Sequence, residues 1–214
     1  MKNNLKDKSF EDGISELHAR LTEKDKARES ILKISRQIIR NSAQSIKAIH
    51  RHDEALAEKL LKDSQSLISQ LASVLKTFPD LYFSGYSLDA QKEFAENSLV
   101  YGIIVKKTLV TAKELGVEPQ TYLNGMGEVV GELRRHILDR IRKGEVAEGE
   151  YYLNVMEELF HTLLEFDFPD MITGGLRRTM DVARSILEKT RGDLTQALNM
   201  ERLSNKLTMA EKAL

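Results

Sequence analysis

The amino-acid sequence predicts an all-α protein, and two observations lead to that prediction. The chain of 214 residues has only three prolines, at Pro79, Pro119 and Pro169, and its 12 glycines are unevenly spread. Because both residue types break helices, the long tracts that lack them are expected to be helical. No run of alternating β-branched residues bounded by turn signals requires a sheet. We therefore expect a single all-helical domain over residues 1–214, with a polar N-terminal segment over about residues 1–12.

Breaks in the chain divide it into seven predicted helices. The tract from Ile14 to Phe78 contains neither proline nor glycine and is too long for one helix of a compact domain, so a turn is expected near His52 and Asp53. Elsewhere, proline near the start of a helix and glycine after its end mark the boundaries. The expected helices cover about residues 14–51, 54–77, 87–116, 119–143, 149–166, 171–190 and 193–214. The predicted fold is an all-α, seven-helix bundle.

Composition excludes several classes of protein. Hydrophobic residues make up 41% of the chain, which is enough for a core, and the absence of cysteine removes disulfides, thiolate zinc sites and cysteine nucleophiles. No apolar stretch approaches the ~20 residues that cross a bilayer, and the polar start is not a signal peptide, so a cytoplasmic protein is expected. The P-loop, dinucleotide-binding, zinc-protease and nucleophile-elbow motifs are missing. A formal net charge of −1 means that any nucleic-acid binding must use a local patch.

A stripe of positive charge runs along the first predicted helix. At about 100° per residue, five isoleucines between Ile31 and Ile49 fall on one arc of this helix. The opposite arc, which we call the basic stripe, carries five cations and no acid: Lys33, Arg36, Arg40, Lys47 and Arg51. Aligned cations repel one another by roughly a few tenths of a kcal/mol per pair, and a phosphate backbone would relieve that repulsion. A solvated helix face is the alternative interpretation, because such stripes are common on soluble helices.

Two pairs of glutamates form a second pattern. Glu93 and Glu96 lie three residues apart on the third predicted helix, which is apolar nearly all round after Ser98 and is therefore expected to be central. Glu128 and Glu132 lie four residues apart on one face of the fourth helix. Carboxylates beside an apolar surface are costly to bury unless they are protonated, paired with Lys or Arg, or bound to a cation.

Two glycines next to the second pair, Gly127 and Gly131, add to the pattern. Glycine inside a helix costs about 1 kcal/mol relative to alanine, so two in one helix indicate that something approaches the backbone closely. If the third and fourth helices pack side by side, the four carboxylates form an all-oxygen site that suits Mg²⁺, with Mn²⁺ as a second candidate. A bound Mg²⁺ keeps water molecules and stabilises the charge that develops when a phosphodiester is attacked. The alternative is salt bridging with Lys92, Arg134 or Arg135.

Histidine offers a rival metal site. Glu158 and His161 form an E-x-x-H step, and di-iron bundles use two such steps. None of the other four histidines has a glutamate three residues before it. His161 is therefore interpreted as a core or boundary residue.

Several motifs resemble one known family. The run KISRQI at residues 33–38 is followed by IHR at residues 49–51, and YLNG at residues 122–125 leads to GELR at residues 131–134. These segments resemble the translin family, and the similarity runs over about residues 27–198. The K-x-S-R-x-I run and the glutamine-led, glutamate-rich entry to the third helix resemble the translin-associated factor X branch more closely than translin itself.

The resemblance implies a fold, an assembly and an activity. Members of this family share a seven-helix fold and assemble into hollow octamers that bind single-stranded RNA or DNA inside, and the factor X branch has Mg²⁺-dependent endoribonuclease activity. Carried over residue by residue, its metal-binding and catalytic carboxylates fall on Glu93, Glu96, Glu128 and Glu132. Glu128 stands where the branch commonly has aspartate, and its longer side chain is expected to shift the metal or weaken its binding. The family also implies that the basic stripe faces the lumen and holds phosphates.

These observations leave functions of different classes open. The first is a homo-oligomer, an octamer by resemblance, whose own carboxylates bind Mg²⁺ and hydrolyse single-stranded RNA. The second is a non-catalytic oligomer of the translin type, which binds single-stranded RNA or DNA through the basic stripe. A helical scaffold with neither activity is the third. No membrane partner is expected for any of them.

Overall fold

The described residues of the protein, 8–82 and 85–213, are helical almost throughout in a computed structural model. Within these ranges there are eight α-helices and no strand, so the predicted all-α class is confirmed. The helices are α1 Lys8–His50, α2 Glu54–Thr77, α3 Gly85–Tyr101, α4 Ala112–Leu115, α5 Pro119–Arg142, α6 Ala147–Leu164, α7 Asp170–Thr173 and α8 Leu176–Ala213. None of them is both long and apolar enough to pass through a bilayer.

The turn between α1 and α2 lies where the sequence predicts it. His52 adopts a left-handed φ of 61°, which reverses the chain direction. The side chain of Asp53 then accepts a hydrogen bond from the N–H of Leu56 and so caps the first turn of α2. A second hydrogen bond connects α1 to α2: the hydroxyl of Ser45 donates to the carbonyl oxygen of Ala57 at 3.1 Å.

The first helix begins earlier than predicted. α1 starts at Lys8 and runs straight through Gly13, because one glycine costs a helix of 43 residues only about 1 kcal/mol. Residues 8–12 of the predicted polar segment therefore belong to α1, and residues 1–7 lie outside the described residues.

The third predicted helix, over residues 87–116, is wrong in its second half. α3 is followed by a π-helical turn, Gly102–Lys106, after which Lys107 takes a left-handed φ of 57°. The N–H of Thr108 donates to the carbonyl oxygen of Gly102 at 3.0 Å. A Cβ on Gly102 would lie 2.5 Å from the carbonyl oxygen of Thr108, so the chain can fold back here only at a glycine. The short helix α4 follows this reversal.

The last two predicted helices also differ from the structure. The predicted break near Gly192 is wrong, because α8 passes through this residue and the glycine there costs only helix propensity. The chain breaks instead at Gly174 and Gly175, whose φ angles of 62° and 85° lie in the left-handed region. This break separates the short helix α7 from the long helix α8.

α3 is the central helix of the bundle, as the sequence predicts. Its first half packs against α1 and α2 in a core that includes the fully buried residues Ile38 and Phe94. Its second half packs against α5 and shares with α5, α6 and α8 a second core, where Leu99, Leu133 and Leu163 are fully buried. From Phe94 to Tyr101 every residue of α3 is therefore buried, whereas Asp89 is exposed and Glu93 is partly exposed.

A glycine lets α3 and α5 approach closely. A Cβ on Gly125 would lie 2.9 Å from the carbonyl oxygen of Lys92 and 3.0 Å from the amide nitrogen of Glu96. These are backbone atoms in the middle of a helix, so they cannot move aside independently. The contact brings the turns of α3 that carry Glu93 and Glu96 against the turn of α5 that carries Glu128.

Replacing Gly125 with alanine is expected to destabilise the protein by about 1–3 kcal/mol, because the added methyl group overlaps the backbone of α3. Gly192→Ala is the matched control. It lies inside α8 with open space around it, so alanine is expected to stabilise the protein by about 0.5–1 kcal/mol. Urea unfolding followed by circular dichroism measures both changes. Equal effects of the two substitutions would contradict the close approach of α3 and α5.

Candidate metal centre and nucleic-acid interface

Three of the four predicted glutamates come together where α3 and α5 touch. Glu93 and Glu96 lie on α3 and Glu128 lies on α5, and each offers a carboxylate oxygen within 4.8 Å of those of the other two. We call these three residues the carboxylate cluster. Oxygen donors from carboxylates suit hard cations such as Mg²⁺ and Mn²⁺, so the donor set fits the predicted ions.

Glu96 is the most buried member of the carboxylate cluster, with only 9% of its surface exposed. Burial, followed by the charges of Glu128, Glu93 and Glu132, raises the pKa of Glu96 to about 8. Burial also raises the pKa of Glu93, against the lowering effect of Lys92. The cluster therefore holds more negative charge than its surroundings balance, and a bound cation would relieve the imbalance.

One lysine balances part of this charge. Lys92 Nζ lies 2.6 Å from Glu128 Oε1 and 3.7 Å from Glu93 Oε1. Burial lowers the pKa of Lys92, but the hydrogen bond to Glu128 and the negative charge of Glu128 raise it by more. The pKa of Lys92 is therefore raised overall, and its ammonium group stays charged. The alternative of salt bridging therefore holds in part, for Lys92 with Glu128 and for Arg135 with Glu132. Arg134 pairs instead with Asp193, at 2.8 Å.

The fourth predicted glutamate, Glu132, lies outside the carboxylate cluster. Its Oε2 is 2.6 Å from Nε2 of His50, at the end of α1, and 4.0 Å from a guanidinium nitrogen of Arg135. Only 3% of the His50 side chain is exposed, so this contact is well shielded from water. The charge of Glu132 still reaches the cluster, because it contributes to the raised pKa of Glu96. The sequence does not mark His50 as a site residue, since no spacing rule connects residues on α1 and α5.

A cavity of about 370 Å³ opens beside the carboxylate cluster, between α5 and α8. Glu96 and Glu128 form its acidic wall. The wall contributed by α8 combines one cation with apolar surface, from Arg178, Thr179, Val182 and Ile186. Arg178 is exposed and forms no ion pair within residues 8–82 and 85–213. It is a candidate site residue that no motif in the sequence indicates.

The two glycines of α5 that the sequence singles out behave differently. A Cβ on Gly127 would lie 2.5 Å from Cγ2 of Thr179, so glycine at this position lets α8 approach the cavity. A Cβ on Gly131 would meet Cδ1 of Ile186 at 3.8 Å, which is an ordinary contact distance. The close approach inferred from both glycines is therefore present only at Gly127.

The basic stripe lies on the exposed face of α1. All five of its side chains are exposed, and none forms an ion pair with another residue that the structure describes. Its first three members line a groove of about 570 Å³. At its other end, Lys47 and Arg51 lie on either side of His50 in the chain, so the stripe ends beside the contact between His50 and Glu132. This arrangement suits phosphate binding and also fits a solvated helix face.

Replacing Glu96 with glutamine is expected to stabilise the metal-free protein at high pH. The folded-state pKa of about 8 lies above the ordinary value of 4.5, so between these values the folded protein binds more protons and loses stability as the pH rises. Glu96→Gln is expected to gain on the order of 5 kcal/mol over the wild type at pH 9 and almost nothing below pH 4.5. Thermal unfolding in EDTA measures the difference.

The control for this measurement is Glu58→Gln, at a surface glutamate of α2 that pairs with Lys62. No gain in stability is expected from it at either pH. If Glu96→Gln changed the unfolding temperature equally at both pH values, the raised pKa of Glu96 would be ruled out.

Known proteins similar to this chain were found by sequence and by structure. No family model matches the chain. An uncharacterised protein of Methanocaldococcus jannaschii is 40% identical to it over 177 residues, which cover 81% of this chain and 78% of that protein. Two structures of the archaeal protein AfC3PO, one of them a complex with duplex RNA, share 34% identity with it at a TM-score of 0.82. The similar region covers 87% of this chain and 97% of AfC3PO.

A third structure, that of apo-NeC3PO from Neurospora, shares 23% sequence identity with this chain at a TM-score of 0.77. The similar region covers 92% of this chain and 98% of the NeC3PO chain. That likeness supports the fold alone. AfC3PO is similar to this chain in both sequence and fold along nearly its whole length. This similarity confirms the resemblance to the translin family. Membership in the factor X branch stays a prediction. The chain belongs to the C3PO family of translin- and TRAX-type proteins.

Proposed function

We propose that the protein is an endoribonuclease of the translin-associated factor X type, which binds single-stranded RNA and cleaves it with the help of Mg²⁺ or Mn²⁺. The observation that carries this proposal is the convergence of Glu93, Glu96 and Glu128 beside an open cavity. The complex of AfC3PO with duplex RNA supports RNA as the class of ligand. By family resemblance, the working form is a hollow homo-octamer with the basic stripe facing its lumen, and single-stranded DNA is a second ligand.

The carboxylate cluster is the proposed metal site. Its three members supply oxygens within 4.8 Å of one another, and Glu132 adds negative charge from its place beside His50. When bound there, Mg²⁺ supplies positive charge that stabilises the charge developing on the phosphate during hydrolysis. Glu96 has to lose its proton to become a ligand, and with a pKa of about 8 it does so at neutral pH chiefly when a cation is present. Cation binding and proton release are therefore coupled.

Side chains around the cavity and on α1 are placed to hold the strand. Arg178 lines the same cavity as Glu96 and Glu128, where its guanidinium can pair with a phosphate that approaches the carboxylate cluster. Val182 and Ile186 offer apolar surface to the sugar or the base. The basic stripe holds further phosphates, so RNA binding is expected to weaken as salt rises.

A non-catalytic nucleic-acid-binding oligomer is the second candidate. Lys92 already bonds to Glu128 at 2.6 Å, and Glu128 stands where the factor X branch commonly has aspartate. A cluster balanced by Lys92 would need no metal, and the basic stripe would then be the functional surface. The two candidates differ in whether bound RNA is cleaved.

A cleavage assay on a single-stranded RNA oligonucleotide separates the two candidates. The nuclease is expected to cleave the RNA in Mg²⁺ and not in EDTA. Glu96→Gln and Glu128→Gln are each expected to lower the rate by about 100-fold or more while RNA binding persists, because they remove ligands and leave the basic stripe intact. Glu58→Gln is the control and is expected to cleave normally. Binding without cleavage by the wild type in Mg²⁺ and in Mn²⁺ would favour the non-catalytic candidate.

Replacing Lys92 with methionine is expected to tighten divalent-metal binding by about tenfold, which corresponds to ~1.4 kcal/mol. The ammonium that bonds to Glu128 has to give way to the metal, and methionine fills a similar space without the charge. Titration of the protein with Mn²⁺ by calorimetry measures the affinity. Lys113→Met, at an exposed lysine of α4, is the control and is expected to bind like the wild type. Unchanged or weaker binding by Lys92→Met would show that Lys92 does not compete with the metal.

A further inference from the structure

A second polar cavity lies at the end of α1, where the chain turns into α2 and meets the second half of α5. Its volume is about 190 Å³. Three histidines, two cations and one acid line it: His50, His52, His136, Asp139, Arg140 and Lys143. We call it the histidine pocket. No motif in the sequence marks it, because its residues come from two distant segments.

The charged groups of the histidine pocket favour an anion. Lys143 Nζ lies 3.0 Å from Nε2 of His52, so the ring accepts a hydrogen bond from the ammonium and holds it at the pocket. Asp139 is the single acid in the lining, and its carboxylate is 3.7 Å from Arg142. The negative charge in the lining is therefore already offset by a neighbouring arginine.

The deeper part of the pocket is neutral. His136 is buried, and burial followed by the charge of Arg140 lowers its pKa to about 4, so this ring is uncharged at neutral pH. Arg140 forms ion pairs with Glu145 and Glu148, which lie outside the lining. Lys143 is thus the cation in the lining that forms no ion pair with any residue the structure describes, although its charge helps to lower the pKa of nearby Glu145.

His50 connects the histidine pocket to Glu132, whose charge reaches the carboxylate cluster. Its Nε2 contacts Glu132 at 2.6 Å, whereas its Nδ1 is buried and has no hydrogen-bond partner in the described part of the chain. A buried polar atom without a partner is costly, so such atoms commonly mark a place where a ligand or an ordered water completes the structure. The pocket and the carboxylate of Glu132 are therefore separated by a single imidazole ring.

We propose that the histidine pocket binds a phosphate group of the nucleic-acid strand, next to the linkage that is held at the carboxylate cluster. This inference rests on the proposed function and adds a second phosphate position to it. Phosphate oxygens accept hydrogen bonds, and the donors are the ammonium of Lys143 and the Nδ1–H of His52, whose Nε2 accepts from that ammonium. The basic stripe leads to the same place, since Arg51 lies between His50 and His52 in the chain. A strand that follows the stripe therefore reaches the histidine pocket at the end of α1.

A transition metal is the main competing ligand, because imidazole binds zinc well. Two observations disfavour it. The carboxylate cluster is the one group of three or more metal-ligand side chains brought within 4.8 Å in the part of the chain that the structure describes. The ammonium of Lys143 would also repel a cation in the pocket.

Titration with inorganic phosphate tests the histidine pocket by itself. In EDTA, calorimetry on the wild type is expected to show phosphate binding that weakens about tenfold in Lys143→Ala and in His52→Gly. Glycine suits position 52 because the φ there is 61°, so this variant removes the ring without straining the turn. Lys76→Ala, at an exposed lysine of α2, is the control and is expected to bind like the wild type. An absence of phosphate binding, or equal losses in all three variants, would overturn the proposal.

Binding of RNA then identifies the source of the phosphate. In EDTA, the affinity for a short single-stranded RNA, measured by fluorescence anisotropy, is expected to fall about tenfold in Lys143→Ala. Inorganic phosphate is expected to compete with RNA for the wild type more effectively than for this variant. If Lys143→Ala lost phosphate binding but kept full RNA affinity, free phosphate would be the ligand and the nucleic-acid source would be refuted.

Two further outcomes are distinguishable. Saturable binding of Zn²⁺ that is lost in His52→Gly, with no binding of phosphate, would replace the proposal with a metal site. RNA that stays uncleaved in Mg²⁺ while the phosphate titration behaves as expected would refute the proposed nuclease and support the histidine pocket as a phosphate site.

Discussion

The close contact between α3 and α5 at Gly125 is the constraint on which the candidate site depends. Because no Cβ stands between the two helices, their backbones lie near enough for Glu93, Glu96 and Glu128 to share one small volume. α3 is packed between other helices, so Glu96 is buried and Glu93 is only partly exposed to water. The packing that stabilises the bundle therefore also forces like charges together, and this local cost is typical of a functional site.

The electrostatic repulsion within the carboxylate cluster is reduced in two ways. The raised pKa of Glu96, about 8, keeps this residue protonated at neutral pH, and Lys92 bonds to Glu128. Neither way is complete, since Glu93 also has a raised pKa although Lys92 lies nearby. A divalent cation could contact all three carboxylates together and offset most of their charge, and the oxygen-only donor set is what Mg²⁺ and Mn²⁺ prefer.

The sequence predicts the fold well where its signals are local. Prolines, the polar turn at His52 and the 3.6-residue period locate α1, α2 and α5, and the spacing of the glutamates indicates the carboxylate cluster. The errors occur where local signals mislead. Gly192 predicts a helix break, but α8 continues through it. The helix predicted to run to residue 116 ends early, because the chain reverses after Gly102 in a way that depends on a steric contact. His50 and Arg178 could not be predicted, because their importance comes from contacts between helices that are far apart in the chain.

The positions of the candidate groups also constrain the order in which a strand and a metal can bind. Without a cation, the carboxylates repel a phosphate, so a strand has no reason to approach them. The basic stripe and Lys143 attract phosphates whether or not a metal is present. The stripe lies on α1, and Lys143 lies beside the end of α1 at which His50 contacts Glu132. On the proposed function, the strand is therefore held first along α1, independently of metal. Glu93, Glu96 and Glu128 would hold the cation, and with most of their charge offset a neighbouring linkage could enter the cavity beside Arg178.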